Sequence, residues 1–244
     1  DNKEIEAIER VINKYNNDQI DENSCSLIAC YFPLYKLIDR IPSLKSISSS
    51  RNSFRELMKL QFSEPLIEIN LSKEIKRVGS INDLISKTVK SQYEDNPYPR
   101  WRFGNPHKDS KRYLKDLINT DIYPNYTKLD SNFDKIKILI AGCGTGQQIL
   151  SAQRYKNSEI TAIDLSCSSL CYAQRKINEL KIDNVNLINM DILEIDLLNQ
   201  KFDLIECCGV LHHMADPIKG LKRLLDTLKP SGFLKLSLYS KLAR

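Results

Sequence analysis

Two acids and a glycine-rich turn are the residues of this chain best placed to do chemistry. Asp164 closes the mostly apolar run 159–163, and Asp191 closes the run 185–190, so each stands at the tip of a strand-like segment. Gly142, Gly144 and Gly146 alternate with Cys143 and Thr145 directly after a third such run, 136–141, and Gln147 follows them. A turn without side chains lets the backbone bend through conformations closed to other residues and approach a ligand closely. An acid about 20 residues past such a turn is placed to accept hydrogen bonds from both hydroxyls of a ribose. Asp164 lies 18 residues after Gly146, and Asp191 is then placed to receive an adenine amino group. A fourth run, 202–208, ends in Cys207-Cys208 and leads into Gly209 and His212-His213. A histidine titrates near neutrality and can take a proton, which makes His212 and His213, with Tyr98, candidates for acid–base work. The two adjacent cysteines read either as a redox pair or as buried thiols beside a ligand.

These residues need a scaffold of strands alternating with helices. Strand, glycine turn and helix over 136–152 form the first unit of a nucleotide-binding α/β sheet. The turn has the pattern GxGxG. The third glycine of a dinucleotide-binding turn is replaced by Gln147, which disfavours a nicotinamide oxidoreductase. A fifth strand over 232–239 is entered through the turn Lys229-Pro230-Ser231-Gly232, after a helix whose stripe Leu221, Leu224, Leu225 and Leu228 faces the core.

Ahead of this part the pattern is helical. Ile5, Ile8, Val11, Ile12 and Tyr15 recur at helical spacing, and Asn23 or Ser24 is the expected cap of a second helix running past Tyr31. Ser63-Glu64-Pro65 reads as a helix start, and Ser80 to Asp83 as another, through Leu84, Ile85, Val89 and Tyr93. No 34-residue self-similarity marks a repeat array. Two prolines two residues apart force 94–101 into an extended segment that is either a lid over the pocket or a rigid strap packing Trp101. Residues 102–135 read as one helix and a linker. The domains expected are a helical region 1–79, a helix, strap and linker 80–135, and a ligand-binding core 136–244.

At this point the resemblance is specific. The glycine turn, Asp164, Asp191, the Val210-Leu211-His212-His213 segment and the Lys-Pro-Ser-Gly turn follow one another as do the motifs of class I S-adenosylmethionine-dependent methyltransferases, over roughly 135–239. The segment Asn96-Pro97-Tyr98-Pro99-Arg100-Trp101 resembles a signature of a bacterial subgroup often linked to tetratricopeptide repeats. The resemblance implies a doubly wound, Rossmann-like, mainly parallel α/β sheet in strand order 3-2-1-4-5, with the ligand between the first and fourth strands. It implies S-adenosyl-L-methionine as cofactor, its methionine part wrapped by Gly142, Cys143, Gly144, Thr145, Gly146 and Gln147 at a helix N-terminus. It places the ribose on Asp164 beside Leu165, and the adenine on Asp191 beside Ile192. Cys207, Cys208 and Gly209 face the sulfonium, while Tyr98, Trp101 and His212 are candidates on the acceptor side. Ile140 departs from the pattern, since family members commonly carry there an acid for the methionine amino group. The family's last two strands are also missing, which leaves the fifth strand as an open edge.

Composition narrows the partners. The net charge of +5 is spread evenly, with 22 basic and 20 acidic residues up to Lys135 and 14 and 11 after it, so nucleic acid is not favoured as acceptor. No apolar run reaches the length of a membrane span, and the first ten residues lack a signal peptide's apolar core. Seven cysteines without a CxxC pair suit reduced thiols in the cytoplasm, and no metal site is expected, because His107 stands far from the other two histidines. The chain lacks an initial Met and stops just past the fifth strand, as a segment of a longer protein would. The methyl acceptor, a small molecule or a protein side chain, is left open, and the helical region is a candidate surface for a protein partner. The rival reading is a scaffold module that binds the cofactor without turnover.

Overall fold

Six strands form one parallel sheet in the computed structural model, which describes residues 2–107, 110–128 and 135–240. The expected domain ends at 1 and 244, and parts of the expected linker (108–109 and 129–134), lie outside the described residues. The chain divides into two compact units, one up to Asn70 and the other from Leu71.

The first unit is helical, with α1 (Asn2–Lys14), α2 (Glu22–Ala29), α3 (Asn52–Met58) and α4 (Glu64–Leu71). Its core joins Ile12, Cys25, Ile28, Leu34, Ile41, Leu44 and Phe54. The cap of α2 is Asp21, whose carboxylate accepts from the N–H of Asn23 and Ser24 at 3.0 and 2.9 Å, and not Asn23 or Ser24 as expected. The helix stops at Ala29 with Cys30 as its C-cap, short of the expected run past Tyr31, and a 3₁₀ turn over Leu34–Leu37 follows with Pro33 at its N-cap. α4 begins at Glu64, at the expected helix start, with Pro65 in its first turn. A π turn over Lys59–Ser63 carries the chain from α3 into α4, and this wide turn admits a residue that has no N–H to donate.

The second unit contains β1 (Lys76–Arg77), α5 (Leu84–Asp95), α6 (Leu114–Asp121), β2 (Ile136–Ala141), α7 (Gln147–Ala152) and β3 (Ser158–Asp164). It continues with α8 (Cys167–Glu179), β4 (Val185–Asn189), β5 (Phe202–Cys208), α9 (Pro217–Thr227) and β6 (Leu228–Ser237). The order across the sheet is β1-β4-β3-β2-β5-β6. The five expected strands thus stand in the expected order, 3-2-1-4-5, and the fold is the doubly wound α/β sheet. An unexpected short strand lies beyond them. Lys76 and Arg77 pair with Ile188 and Asn189, so residues 71–79, expected with the helical region, belong to the sheet unit.

Strand alternation puts a core on each face. Ile138, Ile140, Ile160, Ala162 and Leu204 pack with α6, α7 and α8, while Leu139, Ala141, Ile163, Ile205 and Cys207 pack with α9. Of the expected leucine stripe, Leu224 is buried but Leu225 is exposed. The Lys-Pro-Ser-Gly turn lies inside β6 as a bulge between the pairs Phe202↔Leu228 and Leu204↔Phe233. Opposite it, buried Asp203 accepts from the Lys137 N–H at 2.8 Å and from the Lys229 ammonium at 2.8 and 2.9 Å. Asp203→Ala orphans that buried N–H, and urea unfolding should show a loss of about 1–3 kcal/mol. A loss within ~0.5 kcal/mol, the range of an ordinary surface change, would contradict this account of the bulge.

Candidate functional site

The C-terminal ends of β2, β3, β4 and β5 open into a cavity of about 300 Å³, the low end of the range for small-molecule sites. The glycine turn forms one wall. The N–H groups of Gly142 and Cys143 donate to the Ile163 carbonyl at 2.8 and 3.0 Å, which ties the start of the turn to the end of β3. Gly142, Cys143, Gly144, Thr145 and Gln147 line the cavity. Gly146 does not: it caps α7 in left-handed conformation, with φ 89°, and a Cβ there would stand 2.9 Å from the Ala173 Cβ. Its role is the close packing of α7 on α8. With only six residues, α7 also offers a short dipole.

Asp164 and Asp191 both face the cavity. The Asp164 carboxylate accepts from the Gly144 N–H at 2.7 Å and from the Ser166 N–H at 2.9 Å, one bond on each oxygen. A carboxylate offers about four lone-pair sites, so capacity remains for hydroxyl donors. Burial pushes its pKa up against the pull of the Ser166, Gly144 and Leu165 N–H groups, and the nearby Glu94 adds to the rise. Asp191 accepts from the Leu193 N–H at 2.9 Å, and Leu165 and Ile192 line the cavity beside the two acids.

Other expected residues are placed differently. Cys208 and Gly209 line the cavity, but Cys207 is fully buried on the opposite face of β5, as strand alternation requires. Burial pushes the Cys207 thiol up to about 12 and raises Cys208 as well, which disfavours the thiolate at both. His213 lines the cavity and His212 does not, because the 3₁₀ turn over Leu211–His213 sends successive side chains in different directions. Ile140 is fully buried in the core, and Glu206, its register partner on β5, accepts instead from the Tyr155 hydroxyl at 3.0 Å.

The strap is pinned to the turn. The Thr145 hydroxyl donates to the Pro99 carbonyl at 2.6 Å, and the Trp101 indole N–H donates to the Thr145 carbonyl at 3.0 Å. Tyr172 donates to the Trp101 carbonyl. Tyr98 and Pro99 reach the cavity, whereas Trp101 stays outside it. Ser86, Val89, Lys90 and Tyr93 of α5 complete that wall, and no sequence argument assigned them. Their i, i+3, i+4, i+7 spacing was the available signal, a helix face too mixed in polarity to be core.

The chain is similar to several known proteins. Residues 138–232 match the family model described as a methyltransferase domain. An uncharacterized protein of Synechococcus sp. is 30% identical over 170 residues, covering 68% of this chain and 40% of that protein. The malonyl-[acyl-carrier protein] O-methyltransferase of Priestia megaterium is 33% identical over 141 residues, covering 57% of this chain and 50% of that protein. The solved structure of PKMT2 from Rickettsia typhi in complex with AdoHcy is 29% identical with a TM-score of 0.43, over 57% of this chain and 26% of that one. The chain thus spans half or less of the length of each of these proteins.

Proposed function

We propose that this chain is a class I S-adenosylmethionine-dependent methyltransferase of the bacterial subgroup with the Asn96–Trp101 signature, acting in the cytoplasm on a small molecule or a protein side chain. The observation that carries the reading is the convergence of the glycine-rich turn, Asp164 and Asp191 on one cavity at the ends of three adjacent parallel strands. The residues fit the cofactor. Gly142 to Thr145 would take the amino-acid tail, Asp164 the ribose hydroxyls through its remaining lone pairs, and Asp191 the adenine edge. When bound, S-adenosylmethionine supplies a methyl group on a sulfonium that leaves as a neutral thioether. The chain's own work is to orient the partners and exclude water, and the pinned strap and α5 supply that wall.

Calorimetric titration tests the reading. Binding of S-adenosylmethionine and S-adenosylhomocysteine, with NAD at least ~10-fold weaker, a gap of about 1.4 kcal/mol, is the expected result. A preference for NAD overturns it. Trp101, the single tryptophan, gives an independent readout, because its N–H is bonded to the turn. Its emission should change saturably with S-adenosylhomocysteine at the calorimetric affinity. An emission indifferent to a ligand that calorimetry shows bound would place that ligand away from the turn. The buried Ile140 in place of the usual acid favours a second reading, a module that binds the cofactor without turnover.

A further inference from the structure

His212 and His213 sit with their Nε2 atoms 3.1 Å apart, and the His212 ring is stacked on Tyr239 with centroids 4.1 Å apart and planes 30° apart. Two imidazole nitrogens at this distance hold one proton between them, so one Nε2 donates and the other keeps its lone pair. The contact therefore keeps at least one of the two rings neutral. Of the two rings only His213 lines the cavity, together with Cys208, Gly209 and Val210. Asp164 and Asp191 already accept from backbone N–H groups.

Resting on the methyltransferase reading, we propose that His213 is the proton acceptor of the reaction, and that the methyl acceptor is a hydroxyl, thiol or amine whose attacking atom carries a proton, not a carboxylate. With the shared proton on His213 Nε2, its Nδ1 holds a free lone pair. The bond from the acceptor atom to the methyl carbon forms as the carbon–sulfur bond breaks, the sulfonium becoming a neutral thioether. The acceptor's proton passes to His213 Nδ1. The imidazolium so formed is stabilised by donating to neutral His212, which acts as a positioning residue held by Tyr239. A carboxylate acceptor loses no proton and would need neither ring. Lys90, Tyr93, Tyr98, Asp164 and Asp191 are the other ionisable residues of α5, the strap and the strand ends that line the same cavity. Cys208, Asp216 at the start of α9 and Tyr239 are the ionisable neighbours on its own side.

The test has two parts. The chain has three histidines, so each ring in the full chain bound to S-adenosylhomocysteine can be assigned by single substitution in a ¹⁵N-imidazole pH titration. A coupled pair is expected, in which His212→Asn changes the His213 curve. Independent titrations overturn the shared proton. In the second part, a bacterial extract receives the full chain and methyl-labelled S-adenosylmethionine, and the label is sorted by mild base, which releases methyl esters as volatile methanol. Base-stable label is expected, with a rate that rises through the His213 titration and falls roughly 100-fold in His213→Asn while cofactor affinity stays within about twofold. Base-released label, or base-stable label insensitive to His213→Asn, overturns the inference and leaves the methyltransferase reading standing. No label despite bound cofactor overturns turnover and the inference together, and no cofactor binding overturns the reading itself.

Discussion

Asp164→Ala is expected to weaken S-adenosylmethionine binding by about 1.5–3 kcal/mol, a factor of roughly 10 to 150, because hydrogen bonds to a charged acceptor lie in that range. The same change leaves the Gly144 and Ser166 N–H groups without their acceptor, so stability falls as well. Asp164→Asn separates the two effects. Its carbonyl can still serve one of these N–H groups, and its missing charge should still weaken the cofactor. Calorimetry beside urea unfolding checks both, and an unchanged affinity in either variant would show that the ribose binds elsewhere. pH gives the same residue a second signature. Burial raises the Asp164 carboxyl above its ordinary value. Affinity that depends on the ionised form is complete well above that raised pKa and declines as pH drops through it. The decline should therefore begin at a higher pH than an exposed aspartate would give.

Gly142→Ala is expected to destabilise the fold by about 2–5 kcal/mol. The backbone there has φ 77°, and a side chain in left-handed conformation costs about 1–2 kcal/mol. A Cβ would also stand 2.4 Å from Val210 Cγ2 and 2.9 Å from Cγ1, and overpacking of this kind costs about 1–3 kcal/mol. Gly209→Ala is the control, since φ is 75° but nothing lies within 4 Å of the added carbon. It should show the backbone strain alone, about 1–2 kcal/mol. Equal losses in the two variants by urea unfolding would show that the contact with Val210 is not what demands glycine at 142.

β2 to β5 were legible because each is a largely apolar run followed by a glycine or an acid. Ile136–Ala141 and Phe202–Cys208 fall where the sequence puts them. Lys76–Arg77 was not legible, since two exposed basic residues carry no periodicity and join the sheet only because β4 offers them an edge. The cavity acids were legible from spacing. Which neighbour of a pair faces the cavity was not, because that depends on the face of β5 for Cys207 and Cys208 and on the 3₁₀ turn for His212 and His213. Trp101 was visible as a singular residue, but its place behind the turn follows from its bond to the Thr145 carbonyl, which spacing does not encode.

The measurement that bears most directly on the central claim is a crystal structure of the full chain with S-adenosylhomocysteine. The account predicts both ribose hydroxyls within about 2.5–3.0 Å of the Asp164 carboxylate, the adenine edge at Asp191 and the amino-acid tail against Gly142 to Thr145. A ligand bound outside this cavity, or a ribose without contact to Asp164, would contradict it.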